Sequence, residues 1–285
     1  VINRLNILCF RDSGAFLLQI GKKQDIFKRY SLEVSIKFTK NADQTHDMLL
    51  TNTSNYDIIL MSYDDYLFCK DQAKMSSQNL QSPLVLIPIH DGFLSLVTSH
   101  KNINSFSDLK GTKIAIDTST GYASFLFKIL EENEININDI DIVFAGATDL
   151  RYEKLLNKEF DATLLGVPFT YMAQEKGCKI ISNLSENRKY AGQVATINAL
   201  IFSEKFNSIM AFKKAFNDIL VYLWDHQNKD NIKTYLTDIF GSLSSQIQEN
   251  IYERLTDKKN GYCWNGFFDN DALILTQILY DQNKC

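Results

Sequence analysis

The chain has 285 residues, enough to bury a full core as one large domain or two smaller ones. Hydrophobic residues make up 45% and charged residues 22%, ordinary for a globular protein, and a net charge of −4 excludes a general nucleic-acid binder, which would carry a basic stripe. Three prolines and twelve glycines are too few for long disordered linkers. No apolar run reaches the roughly 18 residues of a membrane span; the longest, 84–97, is broken by Pro88, His90, Asp91 and Gly92.

Residues 5–10 predict a first strand, followed by a loop of Arg11, Asp12, Ser13 and Gly14. Asp12 or Ser13 can cap the next helix, whose Phe16, Leu17, Ile20 and Phe27 recur near helical spacing. Leu32, Val34, Ile36 and Phe38 alternate with polar residues and predict a second strand; 43–50 predict a short helix and 56–61 a third strand. This β-α-β-α-β order predicts parallel strands with helices on both faces. Ligands of such sheets bind beyond the C-terminal strand ends, so loops 11–16 and 62–64 face one crevice. Residues 84–89 and 93–97 predict two further strands joined by a tight turn at Asp91-Gly92.

A second unit follows. Residues 113–117 predict a short apolar strand running into the small residues Thr118, Ser119, Thr120 and Gly121. A helix starts at once, with Tyr122, Phe125, Leu126, Ile129 and Leu130 on one face. Such a junction leaves backbone N–H groups unpaired, a site for an anion or a carbonyl oxygen. Gly146 and Ala147 end a strand in the same way, and Val167, Pro168 and Phe169 end the strand 161–166, with Pro at a helix start. The chain is expected to cross between units near 97–100 and to return as an apolar strand at 198–202. Beyond 203 the pattern is helical, with Ile209, Phe212, Phe216, Ile219, Leu220 and Leu223 on one face and further helices at 230–240, 244–255 and 270–280.

No catalytic or metal constellation stands out. His46, His90, His100 and His226 lack HExxH spacing, and there is no phosphate-loop, GxSxG or GxGxxG fingerprint, so neither a metal nor a cofactor is expected. Cys9, Cys69, Cys178, Cys263 and Cys285 are odd in number and widely spaced; buried free thiols, or one disulfide involving Cys263, fit them. Asp64-Asp65 reads as the acidic start of a helix.

The ligand-contact candidates therefore sit on loops. From the first unit come Arg11, Asp12, Ser13 and Phe16, then Ser62, Tyr63, Asp64 and Phe93. From the second come Thr118, Ser119, Thr120, Gly121 and Tyr122, then Gly146, Pro168 and Phe169. Two readings fit several of them. Arg11 is either a fixed charge for an acidic ligand or a surface residue. Thr118 to Tyr122 form either a binding loop or a plain cap. Tyr63, Tyr122 and Phe169 either stack on a planar ligand or belong to the core.

Residues 105–116, SFSDLKGTKIAI, carry a resemblance, as do Arg151, Leu155, Leu156, Glu159, Asp161, Ala162 and Pro168, with Lys158 where the motif has Gly. Gly21, Phe27, Lys28, Leu32, Glu33 and Val34 form a third patch, with Ser31 in place of the motif's second Gly. The chain resembles type II periplasmic solute-binding proteins of ABC importers, in the group that takes sulfonates, nitrate, taurine and pyrimidine precursors. The resemblance implies an α/β, two-lobed fold: two mixed, mostly parallel sheets joined by a two-strand hinge. Lobe 1 would hold 1–98 and 200–285 with the C-terminal helices packed back on it, and lobe 2 would hold 99–199. It further implies a monomeric, non-enzymatic receptor that closes on a small organic solute, sulfonate-like or heterocyclic. Its partners would be an ABC permease and ATPase complex and no nucleic acid, and it would work in the periplasm after loss of a signal peptide. Two other readings share the scaffold: an effector-binding or sensory module, and an enzyme of the thiamin-precursor or futalosine type. The Cys-rich motif of the thiamin-precursor enzyme is not present in this sequence.

Overall fold

The computed structural model describes residues 2–51, 54–76, 80, 82–184 and 189–283, so Cys285 lies outside the described residues. Strands β1 (Asn3–Cys9), β2 (Leu32–Phe38) and β3 (Ile58–Ser62) run parallel, with helices α1 (Ser13–Lys23), α2 (Ile26–Arg29) and α3 (Ala42–Leu50) between them. Helix α4 (Tyr63–Met75) leads to β4 (Pro83–His90). The chain then builds β5 (Ser95–Thr98), β6 (Lys113–Ile116), α5 (Ala123–Glu132), β7 (Asp141–Phe144), α6 (Thr148–Leu156), β8 (Ala162–Leu165), α7 (Phe169–Glu175) and β9 (Lys179–Asn183). It returns through β10 (Gln193–Asn198) and ends in α8 (Ala199–Glu204), α9 (Phe206–Trp224), α10 (Lys229–Phe240), α11 (Ser245–Thr256) and α12 (Asn270–Gln282).

The strands form two five-stranded sheets, in the orders β2-β1-β3-β10-β4 and β7-β6-β8-β5-β9. Each is mixed by one strand from the crossings: β10 is antiparallel to β3 and β4, and β5 to β8 and β9. The expected fold class is therefore the observed one. The division of the chain is displaced from the expected 98/99 and 199/200. β5 already belongs to the second sheet, and β10 still belongs to the first. Asp91-Gly92 is consequently not a hairpin turn but part of the outgoing crossing, with Gly92 at φ 92°. Of the segment 198–202 only Asn198 belongs to a strand, as the last residue of β10. Asn198 caps α8 by accepting from the Leu200 N–H at 2.8 Å, which turns the apolar run into a helix.

Helix α9 buries Ile209, Phe212, Phe216, Ile219 and Leu223 against α1, α2 and β1, and Phe27 stacks on Phe212 at 5.9 Å. At about 1.5–3 kcal/mol for each fully buried large apolar side chain, this stripe fixes α9 to the first sheet. The rest of the tail does not stay on that side. α11 packs on α7, and α12 lies against both α4 and α5, so the last helices touch both lobes.

The two crossings run together. The Gly192 N–H donates to the His90 carbonyl at 3.0 Å, the Tyr190 N–H to the Asp91 carbonyl at 3.3 Å, and the Tyr63 N–H to the Gly192 carbonyl at 2.7 Å. Gly192 is required by proximity: a Cβ there would stand 2.5 Å from the Gly92 nitrogen and 2.6 Å from the His90 carbonyl oxygen. The two positions where this chain departs from a motif glycine keep a left-handed backbone on another residue, Ser31 at φ 55° and Lys158 at φ 59°.

Two stability measurements follow from this backbone. Gly192→Ala is expected to lower unfolding free energy by roughly 1–3 kcal/mol, because the methyl must push apart main-chain atoms rather than a movable side chain; an unchanged denaturation midpoint would contradict the tight pairing. Lys158→Gly is expected to raise it by roughly 0.5–1 kcal/mol, since relief of the left-handed strain exceeds the entropy that glycine adds to the unfolded chain.

Candidate functional site

The helices that follow β1, β3 and β6 begin where those strands end, which brings the starts of α1, α4 and α5 to one cleft between the sheets. A helix start offers unpaired N–H groups and partial positive charge. Here these starts are met by the protein's own aspartates. Asp12 Oδ1 accepts from the Gly14 and Ala15 N–H groups at 2.9 and 3.2 Å, capping α1. Ser62 caps α4 by accepting from the Asp65 N–H at 3.3 Å, and its hydroxyl donates to Asp65 Oδ2 at 2.6 Å.

Two aspartates reach across the cleft. Asp65, from the first sheet's α4, interacts with the Thr120 hydroxyl ahead of α5. A Cβ on Gly121, which takes φ 62°, would stand 3.4 Å from Asp65 Oδ2. In the opposite direction the Ala42 N–H at the start of α3 lowers the pKa of Asp117, just past β6, against its burial. The Ala147 N–H donates to the Lys40 carbonyl at 2.9 Å, and the Tyr190 hydroxyl donates to Asp64 Oδ2 at 2.6 Å. Each lobe thus lends a carboxylate to a helix start of the other.

These contacts enclose a cavity of about 90 Å³. Asp12, Ser13, Ser62, Asp65 and Phe10 contribute from the first sheet's loops, and Asp117, Thr118, Thr120, Gly121, Tyr122 and Ala123 from the second. Thr148 and Arg151 of α6 close one side, and His90, Phe93 and Gln193 of the crossings close another. Gln193 Nε2 donates to Asp12 Oδ2 at 2.6 Å, so the return strand is tied directly to the α1 cap. Arg151 is buried and spends its Nη1 and Nη2 on the carbonyls of Gly146 and Leu164.

The electrostatics follow from this burial. Burial pushes the Asp12 carboxyl up to about 7 against the lowering effect of the Ala15, Gln193 and Gly14 hydrogen bonds. Burial likewise lifts Asp117 to about 6, with Arg151 opposing it. Asp64 is raised by burial and by the neighbouring charge of Asp65. Burial would raise Asp65 too, but the hydrogen bond and charge of His46, with Nε2 2.9 Å from Oδ1, outweigh it and hold it low. His46 is raised in turn: burial disfavours its charge, and Asp65 more than compensates. His90 is driven down to about 3 by burial and by Arg254, so it is a neutral ring.

Of the residues put forward from sequence, Asp12, Ser13, Ser62, Phe93, Thr118, Thr120, Gly121 and Tyr122 line the cavity. The others stand elsewhere. Arg11 is exposed and donates to the Ile239 carbonyl at 2.7 Å, so it supplies no charge to the cavity. Phe16 is core, tilted on Phe240. Tyr63 packs on Tyr66 and Phe268, and Phe169 lies between Tyr152 and Phe240; the aromatic sandwich of Tyr63, Tyr122 and Phe169 therefore does not form. Asp64 is tied to Tyr190 behind the wall, Ser119 is exposed, and Gly146 and Pro168 support the loops without lining the cavity. Sequence reasoning passed over Asp65, His90, Asp117, Thr148, Arg151 and Gln193 as contacts. Only Arg151 carried a signal, its place in a family motif. Cys9, Cys69, Cys178 and Cys263 are all buried and free, so Cys263 forms no disulfide with any of these three.

The sequence profile described as NMT1/THI5-like matches residues 17–218. Among curated proteins no relative matches the chain. Among solved structures the chain is similar to a protein of Bordetella bronchiseptica RB50 (15% identity, 98% of this chain and 88% of that one, TM-score 0.78). It is also similar to the alkanesulfonate-binding protein SsuA of Xanthomonas axonopodis pv. citri bound to MOPS (14% identity, 98% and 91%, TM-score 0.76). A third is the periplasmic nitrate-binding protein NrtA of Synechocystis PCC 6803 (12% identity, 95% and 74%, TM-score 0.73). The two with stated roles are binding proteins rather than enzymes. No helix among the described residues is long and apolar enough to cross a membrane.

The cavity groups fix a pH dependence. Asp12 and Asp117 titrate higher in the folded chain than near 3.8, so they favour the folded state at lower pH, and that stability is lost as pH rises through about 6 to 7. His46, raised from 6.5, has the same sign. His90 has the opposite one, its stability being lost as pH falls below about 6.5. Between pH 8 and 6.5 the first three dominate. The ligand-free protein is expected to show a rising Tm as pH falls over that interval at constant ionic strength, with a flatter profile in Asp12→Asn; a Tm that falls instead would contradict the assigned burial.

Proposed function

Because the chain belongs to the NMT1/THI5-like family, we propose that it is the extracytoplasmic solute-binding component of an ABC importer. It captures a small organic solute by closure of its two lobes and presents it to a permease and ATPase complex. The observation that carries this reading is the cavity itself: both sheets contribute helix starts to it, and two hydrogen-bonded crossings stand behind it. Closure about those crossings would bring Asp65 to the α5 start and Asp117 to the α3 start. It would also place the polar wall in a drier medium, where each interaction with a solute is stronger.

A cavity of about 90 Å³ suits a small solute rather than an oligomeric one. Phe93 and Tyr122 give it flat apolar walls, which favour a planar heterocyclic or amine-bearing solute over a bare oxyanion. The carboxylates disfavour a sulfonate.

Small-angle scattering combined with a metabolite thermal-shift screen tests the proposal. A compound that raises Tm is expected also to reduce the radius of gyration, since a ligand that binds only the closed form stabilises it by mass action. Compounds that raise Tm while leaving the scattering curve unchanged would refute closure as the mode of capture.

A further inference from the structure

Resting on the reading of the chain as a receptor whose lobes close, we propose that the lobes are latched along the edge of the cleft away from the crossings. The latch is a main-chain bond between Lys40 and Ala147, and Gly146 is the positioning residue that permits it.

Sheet order sets where this bond lies. In the first sheet β10 and β4, which carry the crossings, stand at one edge and β2 at the other; in the second β5 and β9 stand at one edge and β7 at the other. Lys40 follows β2 and Ala147 follows β7. The hydrogen bond from the Ala147 N–H to the Lys40 carbonyl, 2.9 Å long, therefore joins the sheets at the edge that the crossings do not hold. A rotation about the crossings moves these two atoms apart on a long lever arm, so opening must break this bond.

Each half of the latch is fixed inside its own lobe. The Thr39 N–H donates to the Cys9 carbonyl at 2.9 Å, and the Thr39 hydroxyl lies 2.7 Å from the Asn41 carbonyl and 2.8 Å from Gln44 Oε1, which sets the course of the chain through Lys40. On the other side Arg151 Nη1 donates to the Gly146 carbonyl, and Lys154 Nζ to the Ala145 carbonyl at 3.2 Å. Ala147 is buried and is the cap residue of α6, a position whose N–H has no acceptor within its own helix. The acceptor it finds belongs to the other lobe.

Gly146 makes this approach possible. It takes φ 83°, and a Cβ there would stand 2.9 Å from the Lys40 carbonyl oxygen. The nearest obstacle to that methyl is thus the main chain of the opposite lobe. A collision within one lobe is relieved by distorting it, whereas a collision between lobes is relieved by separating them. Gly146 acts on capture through Lys40, without touching the solute.

The test reads lobe separation directly. In the wild-type chain the Ala147 amide is expected to exchange with deuterium at least about tenfold more slowly than an unbonded amide at a helix start, as followed by NMR; exchange at the unprotected rate overturns the latch. Distances are then measured between spin labels at Lys37→Cys and Asp141→Cys, exposed positions on β2 and β7, in a Cys285→Ser background whose other four cysteines are buried. Gly146→Ala is expected to lengthen these distances, lowering the ratio of joined to separated lobes about three- to tenfold, the worth of one main-chain hydrogen bond. Ala147→Pro removes the donor at a residue whose φ of −57° already suits proline, and is expected to do the same. Gly111→Ala is the control: at φ 75° its methyl meets the same left-handed strain with nothing within 4 Å, so it is expected to lower Tm about as much as Gly146→Ala and to leave the distances unchanged. Unchanged distances in Gly146→Ala or Ala147→Pro, or equal lengthening in Gly111→Ala, overturn the latch; where neither latch variant folds, the exchange rate decides. A metabolite that raises the wild-type Tm and shortens the same distances upholds the receptor whatever the variants do. Variants that lengthen them while no metabolite shortens them keep the latch and reject the receptor.

Discussion

The cleft of this protein is organised by carboxylates that face helix starts across it. Asp65 belongs to α4 of the first lobe and reaches the α5 start of the second; Asp117 belongs to the second and reaches the α3 start of the first. The hydrogen bonds from the Ala147 N–H to the Lys40 carbonyl and from the Tyr190 hydroxyl to Asp64 join the same loops across the cleft. The hydrogen-bonded crossings behind it are drawn together at Gly192, where a side chain would meet main-chain atoms.

Magnitudes explain why the same contacts leave the cavity unsatisfied. A carboxylate at a helix start gains about 0.3–1 kcal/mol when exposed and up to about 2 kcal/mol when partly buried. Removing a carboxylate from water costs several kcal/mol even after the protein relaxes. Helix starts and capping N–H groups therefore do not offset burial for Asp12 and Asp117, and both titrate near neutrality. Asp65 escapes because it has a full partner in His46 at 2.9 Å. A buried carboxylate without such a partner either takes up a proton or waits for a cation. The interface is stable enough to form and still holds unspent charge.

Much of the architecture was legible in the sequence because it is written in local periodicity. The alternation from Leu32 to Phe38, the apolar stripe of α9 and the small-residue junction at Thr118 to Gly121 all became the expected elements. The crossings were not legible. The run around Asp91-Gly92 has the composition of a hairpin, and only the choice of partner strand, a long-range matter, sends β5 to the other sheet. Half of the site was visible as loops at strand ends. The rest was hidden for two reasons: Asp65 and Arg151 sit inside helices, where charge usually means a solvated face, and Gln193 and His90 sit in crossings whose position was misplaced. Tyr63 and Phe169 looked like ligand stackers because they follow strand ends, but neighbouring aromatics claimed them.

The fold shared with sulfonate- and nitrate-binding proteins at 12–14% identity therefore carries little information about the solute. Such a scaffold supplies helix starts that converge on a cleft, and those starts accept negative charge from whatever lies nearest. Where the loops offer only hydroxyls and backbone, the nearest negative charge is the ligand. Where a strand is followed by Asp12 or Asp117, or a helix opens with Asp65, part of that negative charge already belongs to the chain, while the α5 start has no side-chain cap and no acidic residue in its first turn. A handful of side chains just beyond the strand ends, invisible to any comparison of overall shape, decides the sign of what the protein can hold.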